Sequence, residues 1–231
     1  MAVGKKITKK ELKQPDQFHA VASNVIQYIS ENRRKIYIAA GIAGLVVLLL
    51  VAWGIYDFNY EKNANLMYSQ AYNSYTLAGT SEDGKDAYEK AIDIYEELIR
   101  KYPRSDAAKL SFYNTGNLYY DLNDIDKSRM AYQNFLRKCS KYNMLTSLAY
   151  YGLGYCYEYK KDFEKAIESF ENSNKNREGL RFASINYANI GRIYEKMGKE
   201  KKALEFYRKA LEQTPDPLIE AIVKNKVVTL G

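Results

Sequence analysis

One histidine, two cysteines and one tryptophan in 231 residues are scarcities that remove whole classes of chemistry. The lone His19 leaves no histidine partner for a metal site and no second imidazole for acid/base work anywhere else in the chain. Cys139 and Cys156 lack metal-ligand spacing, and on an antiparallel helix pair they fall more than ~10 Å apart, beyond disulfide reach. Both read as small core residues. There is no glycine-rich phosphate loop after a strand; "YGLGYCY" has two glycines but lies within a helix. Glu158, Asp162 and Glu164 read as solvated helix faces rather than as an acid/base pair. The sequence therefore predicts no enzyme, no catalytic residues, no cofactor and no metal.

A long apolar run is present instead. From Ile36 to Tyr56, 21 consecutive residues carry no charge, and eleven of them are Leu, Ile or Val. At ~1.5 Å rise per residue such a helix is about 31 Å long, the thickness of a hydrocarbon core. Tyr37 at one end and Trp53 and Tyr56 at the other sit where aromatic rings prefer the membrane interface. A secretory signal fits poorly: 35 residues precede the run, no small-residue cleavage pattern follows it, and no cysteine near its end suggests a lipoprotein. The expectation is an uncleaved single-pass anchor at 36–56.

The formal charge of +7 is unevenly spread. Residues 1–35 hold eight Lys or Arg (Lys5, Lys6, Lys9, Lys10, Lys13, Arg33, Arg34, Lys35) against Glu11, Asp16 and Glu31, whereas 57–231 hold 27 against 25. The positive-inside rule then puts residues 1–35 in the cytoplasm and 57–231 outside it. The sequence pI of about 9.1 follows from that topology and implies no nucleic-acid partner. Within the arm, Phe18, Val21, Ala22, Val25, Ile26 and Ile29 recur at helical steps, with Gln17, Asn24, Gln27 and Glu31 opposite. Such a helix would lie on the inner face of the membrane, pack on a membrane partner, or simply lead into the anchor.

The remaining residues, 57–231, are repetitive. "FYNTGNLYYDLNDIDKSRMAYQNF", "YYGLGYCYEYKKDFEKAIESFENS" and "YANIGRIYEKMGKEKKALEFYRKA" superpose without a gap. Gly116, Gly154 and Gly191 are each followed by Tyr119, Tyr157 and Tyr194, then by Ser128, Ala166 and Ala203, then by Tyr132, Phe170 and Tyr207. A half-match, "YEKAIDIYEELIRKYP", aligns Ala91, Tyr95, Leu98 and Pro103 with Ala203, Tyr207, Ala210 and Pro215. The small residue lets two helices of a hairpin approach. The tyrosine and the alanine would fill the contact between them, and the later aromatic would pack under the next hairpin.

G-x-x-Y, then A-x-x-x-[FY] and in two cases a closing proline, resembles the tetratricopeptide repeat. The resemblance implies an all-α solenoid of helix hairpins. The glycine-to-glycine steps of 38 and 37 residues exceed that family's usual spacing, so longer turns between hairpins are expected. A first helix near 61–78 runs out of the anchor, with the polar insertion "GTSEDGKD" before its partner. "DPLIEAIVKNKVVTL", apolar at Leu218, Ile222, Val223 and Val227, reads as a capping helix. In all, about nine helices and no strands are expected.

Binding is the chemistry left to such a solenoid. If the hairpins stack as the resemblance implies, the concave face is lined by Tyr113, Asn117 and Tyr120, then Tyr151, Tyr155 and Tyr159, then Arg192, Glu195 and Lys196. Tyrosine joins a flat apolar body to a hydroxyl at low entropic cost, which suits a groove for extended polypeptide. The same rings would equally tighten packing between neighbouring hairpins. Anchor, orientation and repeats together resemble the YfgM-like ancillary subunits of the Sec translocon. That resemblance covers nearly the whole chain, "KKELKQPDQF" included. It implies a bacterial inner-membrane protein with a periplasmic domain, whose partners are translocon subunits, periplasmic chaperones or exported polypeptides. A scaffold subunit of a cell-envelope assembly, division or secretion complex is the alternative, and a regulatory subunit acting through the cytoplasmic arm is a third reading.

Overall fold

A computed structural model describes residues 17–78, 84–139, 143–175, 179–213 and 215–231. Residues 1–16, which carry five of the arm's lysines, and 79–83 of the polar insertion lie outside the described residues. The chain divides into two compact units, Met1–Phe58 and Asn59–Gly231.

Among the described residues there are ten α-helices, one 3-10 turn and no strand. The helices are α1 (Gln17–Glu31), α2 (Arg33–Ala78), α3 (Gly84–Lys101), α4 (Asp106–Asp121), α5 (Ile125–Lys138), α6 (Asn143–Tyr159), α7 (Phe163–Ser173), α8 (Ala183–Lys196), α9 (Glu200–Leu211) and α10 (Pro217–Leu230). The 3-10 turn, Gly179–Phe182, precedes α8.

In the first unit, α2 contains the apolar run within a helix long and apolar enough to cross a membrane by length and composition. The large side chains of that run are exposed, from Leu45 to Tyr56. In α1, Val21, Val25, Ile26 and Ile29 are exposed as well.

The second unit is a stack of hairpins. Its apolar positions fall on one stripe of each second helix: Ala91, Tyr95 and Leu98 on α3, Ala166 and Phe170 on α7, Ala203, Tyr207 and Ala210 on α9. Capping sets where helices begin. The Ser105 hydroxyl accepts from the Ala108 N–H at 3.0 Å, Asp124 and Asp162 cap α5 and α7, and Asp216 caps α10 with Pro217 behind it.

Each glycine of the repeat lies against the aromatic of its own second helix. A Cβ at Gly116 would come within 2.7 Å of Tyr132, one at Gly154 within 2.6 Å of Phe170, and one at Gly191 within 2.8 Å of Tyr207. The later aromatic therefore fills its own hairpin, which corrects the expectation that it serves the next one. Tyr132 does both, since a Cβ at Gly152 would also meet it, at 2.5 Å.

Tyr119, Tyr157 and Tyr194 pack at the edge of the buried core rather than at its centre, Tyr194 stacked on Phe206 of α9 with ring centroids 5.3 Å apart. They are half-buried, and each ring lies under a lysine of its own second helix: Lys127 at 5.0 Å, Lys165 at 5.6 Å and Lys202 at 5.3 Å. The Tyr119 hydroxyl donates to Glu96 at 2.5 Å and the Tyr157 hydroxyl accepts from Gln133 at 2.9 Å, so two of them tie back to the preceding hairpin.

The turn inside each hairpin is repeated too. Asn123, Lys161 and Gly198 have φ of 62°, 60° and 70°, and each follows its repeat glycine at the same offset. There the N–H of Asp124, Asp162 and Lys199 reaches the carbonyl of Tyr119, Tyr157 and Tyr194 at 2.8, 2.9 and 2.9 Å. Because this turn is constant, the extra residues of the 38 and 37 steps sit between hairpins, before α6 and around the 3-10 turn.

The capping helix packs with Val223 and Val227 as expected, but with Ile219 and Leu230 beside them in place of Leu218 and Ile222. Ile219, Val223, Val227 and Leu230 cover the core of Ala203, Tyr207 and Ala210, while Leu218 and Ile222 are 68% and 51% exposed. Asn225 stands 34 residues after Gly191, so α10 has the register of a first helix. Leu218 then lies on the side that meets a second helix in the earlier repeats, and among the described residues none lies there. Cys139 and Cys156 are both buried in one core cluster, with Cys156 Sγ 3.3 Å from Ser128 Oγ.

Two stability measurements follow. Gly154→Ala forces a methyl into the Phe170 ring, and denaturant unfolding is expected to show a loss of about 1–3 kcal/mol, part of it recovered when Phe170→Leu is added. Lys161→Gly relieves a side chain held at positive φ and is expected to raise stability by about 0.5–1 kcal/mol. A loss instead would mean that the lysine side chain, not the turn, matters there.

Candidate concave face

The nine residues expected on the concave face come from the first helices α4, α6 and α8. They lie at offsets of −3 to +5 from Gly116, Gly154 and Gly191, and the +1 position, at Asn117, Tyr155 and Arg192, is the one filled from all three helices. Eight of the nine engage other groups of the same chain.

Tyr113 packs on Tyr132 and Phe135 with ring centroids 6.1 and 5.6 Å away. The Tyr132 hydroxyl donates to Asn117 Oδ1 at 2.6 Å. Tyr120 approaches Tyr155 at 6.4 Å across the α4–α6 seam. Tyr151 and Tyr155 meet edge to face at 4.9 Å, their hydroxyls 2.9 Å apart, and both lean on Phe170. Asn189 Nδ2 donates to the Tyr155 hydroxyl at 3.0 Å, which carries the network on to α8. Burial is the largest cause raising the Tyr113, Tyr120 and Tyr151 hydroxyls above the ordinary phenol range, so they stay protonated. Tyr159 differs: it is 56% exposed.

The charged part of the face centres on Glu158, which is 8% exposed. This corrects the reading of Glu158 as a solvated helix face. Arg192 donates to it twice, Nε at 3.1 Å to Oε1 and Nη2 at 2.7 Å to Oε2, and Lys196 Nζ adds a third bond at 2.8 Å. The Arg192 guanidinium also lies 5.7 Å from the Tyr155 ring centroid. Glu195 accepts from the Tyr207 hydroxyl at 2.8 Å and from Lys226 of α10 at 2.7 Å. Asp162 and Glu164, by contrast, are a cap and a first-turn acid of α7.

These groups rim a cavity of about 590 Å³ between α6, α8 and α10. Its wall carries Tyr155, Arg192, Glu195, Lys196 and Lys226, and its apolar lining comes from Ile185, Ala188, Ile219, Ile222 and Val223. Glu158, Asn189 and Lys226 escaped the sequence reading. Repeat register could have found Glu158, since Glu158 and Glu195 hold the same offset from Gly154 and Gly191. Lys226 lies on a helix outside the three aligned copies. The geometry offers a preorganised charged surface beside an apolar recess, suited to a polypeptide segment carrying both kinds of group.

A family model described as a tetratricopeptide repeat-like domain matches residues 27–231. The chain belongs to that family. The photosystem I assembly protein Ycf3 of a Synechococcus species is 33% identical over 96 residues, 41% of this chain and 56% of that protein. Ycf3 of Prochlorococcus marinus is 38% identical over 66 residues, 29% of this chain and 38% of that one. The chain thus spans little more than half the length of the first of these relatives. Two crystal structures of MamA superpose with TM-scores of 0.53 and 0.50, each at 18% identity, covering 70% and 63% of this chain and 81% and 85% of theirs. At that identity they show the fold. The family and the solenoid make this chain a tetratricopeptide-type adaptor for protein–protein interaction.

The buried carboxylate gives the face a pH signature. Burial alone would push the Glu158 carboxyl up, but hydrogen bonds from Arg192 and Lys196 outweigh it and hold the group below the ordinary glutamate range. Its contribution is therefore complete above about pH 4.3, where an unfolded glutamate ionises, and vanishes as pH falls through the lower folded value. Glu158→Gln is expected to cost about 1–2 kcal/mol at neutral pH, reduced from the fully buried case because Arg192 and Lys196 are about half exposed. The cost should shrink in acid; a penalty unchanged between pH 7 and pH 3 would mean that the amide fails for another reason.

Proposed function

We propose that this protein is a membrane-anchored adaptor of the bacterial cell envelope, an ancillary subunit of the Sec translocon that links exported polypeptides with periplasmic chaperones. The observation that carries this reading is the extent of the family match. It begins at residue 27 and so takes in the apolar run together with the repeats. The charge asymmetry across that run favours a cytoplasmic arm and an extracytoplasmic solenoid. Tethering raises the local concentration of the concave face for its partner without new contacts.

A second reading, a scaffold subunit for an envelope complex, is favoured by a specific feature. The concave tyrosines are largely engaged with one another, and the ion pairs of Glu158 and Glu195 dominate the open wall. Charged contacts of fixed geometry suit a folded partner better than an unfolded client. The name of Ycf3, a photosystem I assembly protein, points the same way.

Photo-crosslinking in membranes from position 159 separates the two readings, because Tyr159 is the exposed tyrosine of this face. Translocon subunits, chaperones or many exported proteins are expected under the first reading. A single stoichiometric envelope protein would establish the second. No capture from 159 alongside capture from the outer surface at Met130 would remove the concave face as the site.

A further inference from the structure

The helix α1 is left over by everything above, and it is sharply two-sided. At 100° per residue its apolar residues Phe18, Val21, Ala22, Val25, Ile26, Tyr28 and Ile29 fall within an arc of about 160°, and every polar residue of the helix falls outside it. An arc that wide exceeds a coiled-coil seam, which is confined to two positions in seven. Val21, Val25, Ile26 and Tyr28 are 63%, 51%, 67% and 65% exposed, and nothing among the described residues covers them. The helix itself has no Lys or Arg. Its flanks have eight: Lys5, Lys6, Lys9, Lys10 and Lys13 before it, and Arg33, Arg34 and Lys35 directly after it.

A break in the backbone separates α1 from α2. The Asn32 N–H and its side-chain amide both donate to the Tyr28 carbonyl at 3.0 Å, and the next helix opens with the Ile36 N–H on the Asn32 carbonyl at 3.1 Å. Asn32 is thus the one residue between the two helices, immediately before the Arg-Arg-Lys cluster.

We infer that α1 is an in-plane membrane helix that binds the anionic lipid surface of the leaflet on the arm's own side, its apolar arc in the acyl boundary and the Arg33-Arg34-Lys35 cluster at its end on the headgroups. This goes beyond the adaptor role but rests on the reading of α2 as a span. The chemistry fits each part: the apolar arc supplies insertion, and the flanking cations supply selectivity for negative lipid. The polar face carries no cation, and its one charged side chain is the acid Glu31, so the helix itself adds no electrostatic attraction to anionic lipid and both terms are needed. A helix that docks on anionic lipid adds a membrane contact that depends on lipid composition.

The test uses the full chain in nanodiscs of phosphatidylcholine, with or without phosphatidylglycerol. An environment-sensitive fluorophore is placed at Val25→Cys or, separately, at Val47→Cys within the span; the parent chain checks that the buried Cys139 and Cys156 stay unlabelled. The expected result is lipid burial at 47 in both membranes and at 25 only with phosphatidylglycerol. Arg33→Gln with Arg34→Gln and Lys35→Gln should lower the docked-to-free ratio roughly 100-fold, since each cation near an anionic surface contributes about a fivefold factor. A label at 25 that stays in water in both membranes, or is buried equally in both, overturns the inference while leaving the span intact. Water at position 47 overturns the span and the inference together.

Discussion

The contact between a repeat glycine and the aromatic of its second helix governs the geometry of the solenoid. With no Cβ at Gly116, Gly154 or Gly191, the faces of Tyr132, Phe170 and Tyr207 lie almost on the backbone of the first helix. A fully buried ring of this size stabilises by about 1.5–3 kcal/mol through burial alone. Here it also sets the interhelix distance, because backbone and ring leave no slack. Once that distance is set, the alanines at 166 and 203 are the size that still fits, and both are fully buried. Tyr132, wedged between Gly116 and Gly152, extends the constraint from one hairpin to the next.

What that core leaves outside differs on the two sides. The outer seam uses tyrosines under lysines, a contact worth ~0.5–1 kcal/mol when exposed, and it repeats in all three copies because the turn at Asn123, Lys161 and Gly198 repeats. The inner side does not repeat. It changes from rings on α4 and α6 to ions on α8, and the change falls at Glu158, Arg192 and Lys196. A uniform frame thus carries a graded surface, which is how one architecture can distinguish partners along its length.

Much of this was legible in sequence, for reasons specific to each element. The hairpins were readable because three copies share glycine, small-residue (Ser128, Ala166, Ala203) and aromatic offsets, and coincidence in register is hard to produce by chance. The concave helix faces were readable as positions, since phase follows from the same offsets. What those side chains bond to was not. Glu158 looks like any acid on a charged helix until Arg192, 34 residues away, is brought beside it. The same limit hid the partner of each glycine: spacing gave small and large residues but not which large residue met which small one. On α10 the apolar residues are numerous enough to fill two faces, so composition placed Val223 and Val227 on the core but could not choose between Leu218 with Ile222 and Ile219 with Leu230 as their companions.

The ion pairs change what the concave face can do. A groove of unengaged tyrosines would bind many extended chains by area alone, with little penalty for a poor match. Here Tyr151 and Tyr155 already exchange hydrogen bonds, Arg192 and Lys196 already hold Glu158, and Lys226 already holds Glu195. A ligand that approaches must complement these pairs as they stand, or replace a carboxylate that each cation already has. Replacement returns little, because one charge-assisted bond is exchanged for another and the displaced glutamate is left without its cations. Complementing the pairs requires a partner whose own charges alternate to match, set around an apolar group for the recess at Ile219 and Ile222. The internal network therefore acts as a selectivity device. It lowers the affinity available to a generic chain and reserves the face for a segment of defined pattern.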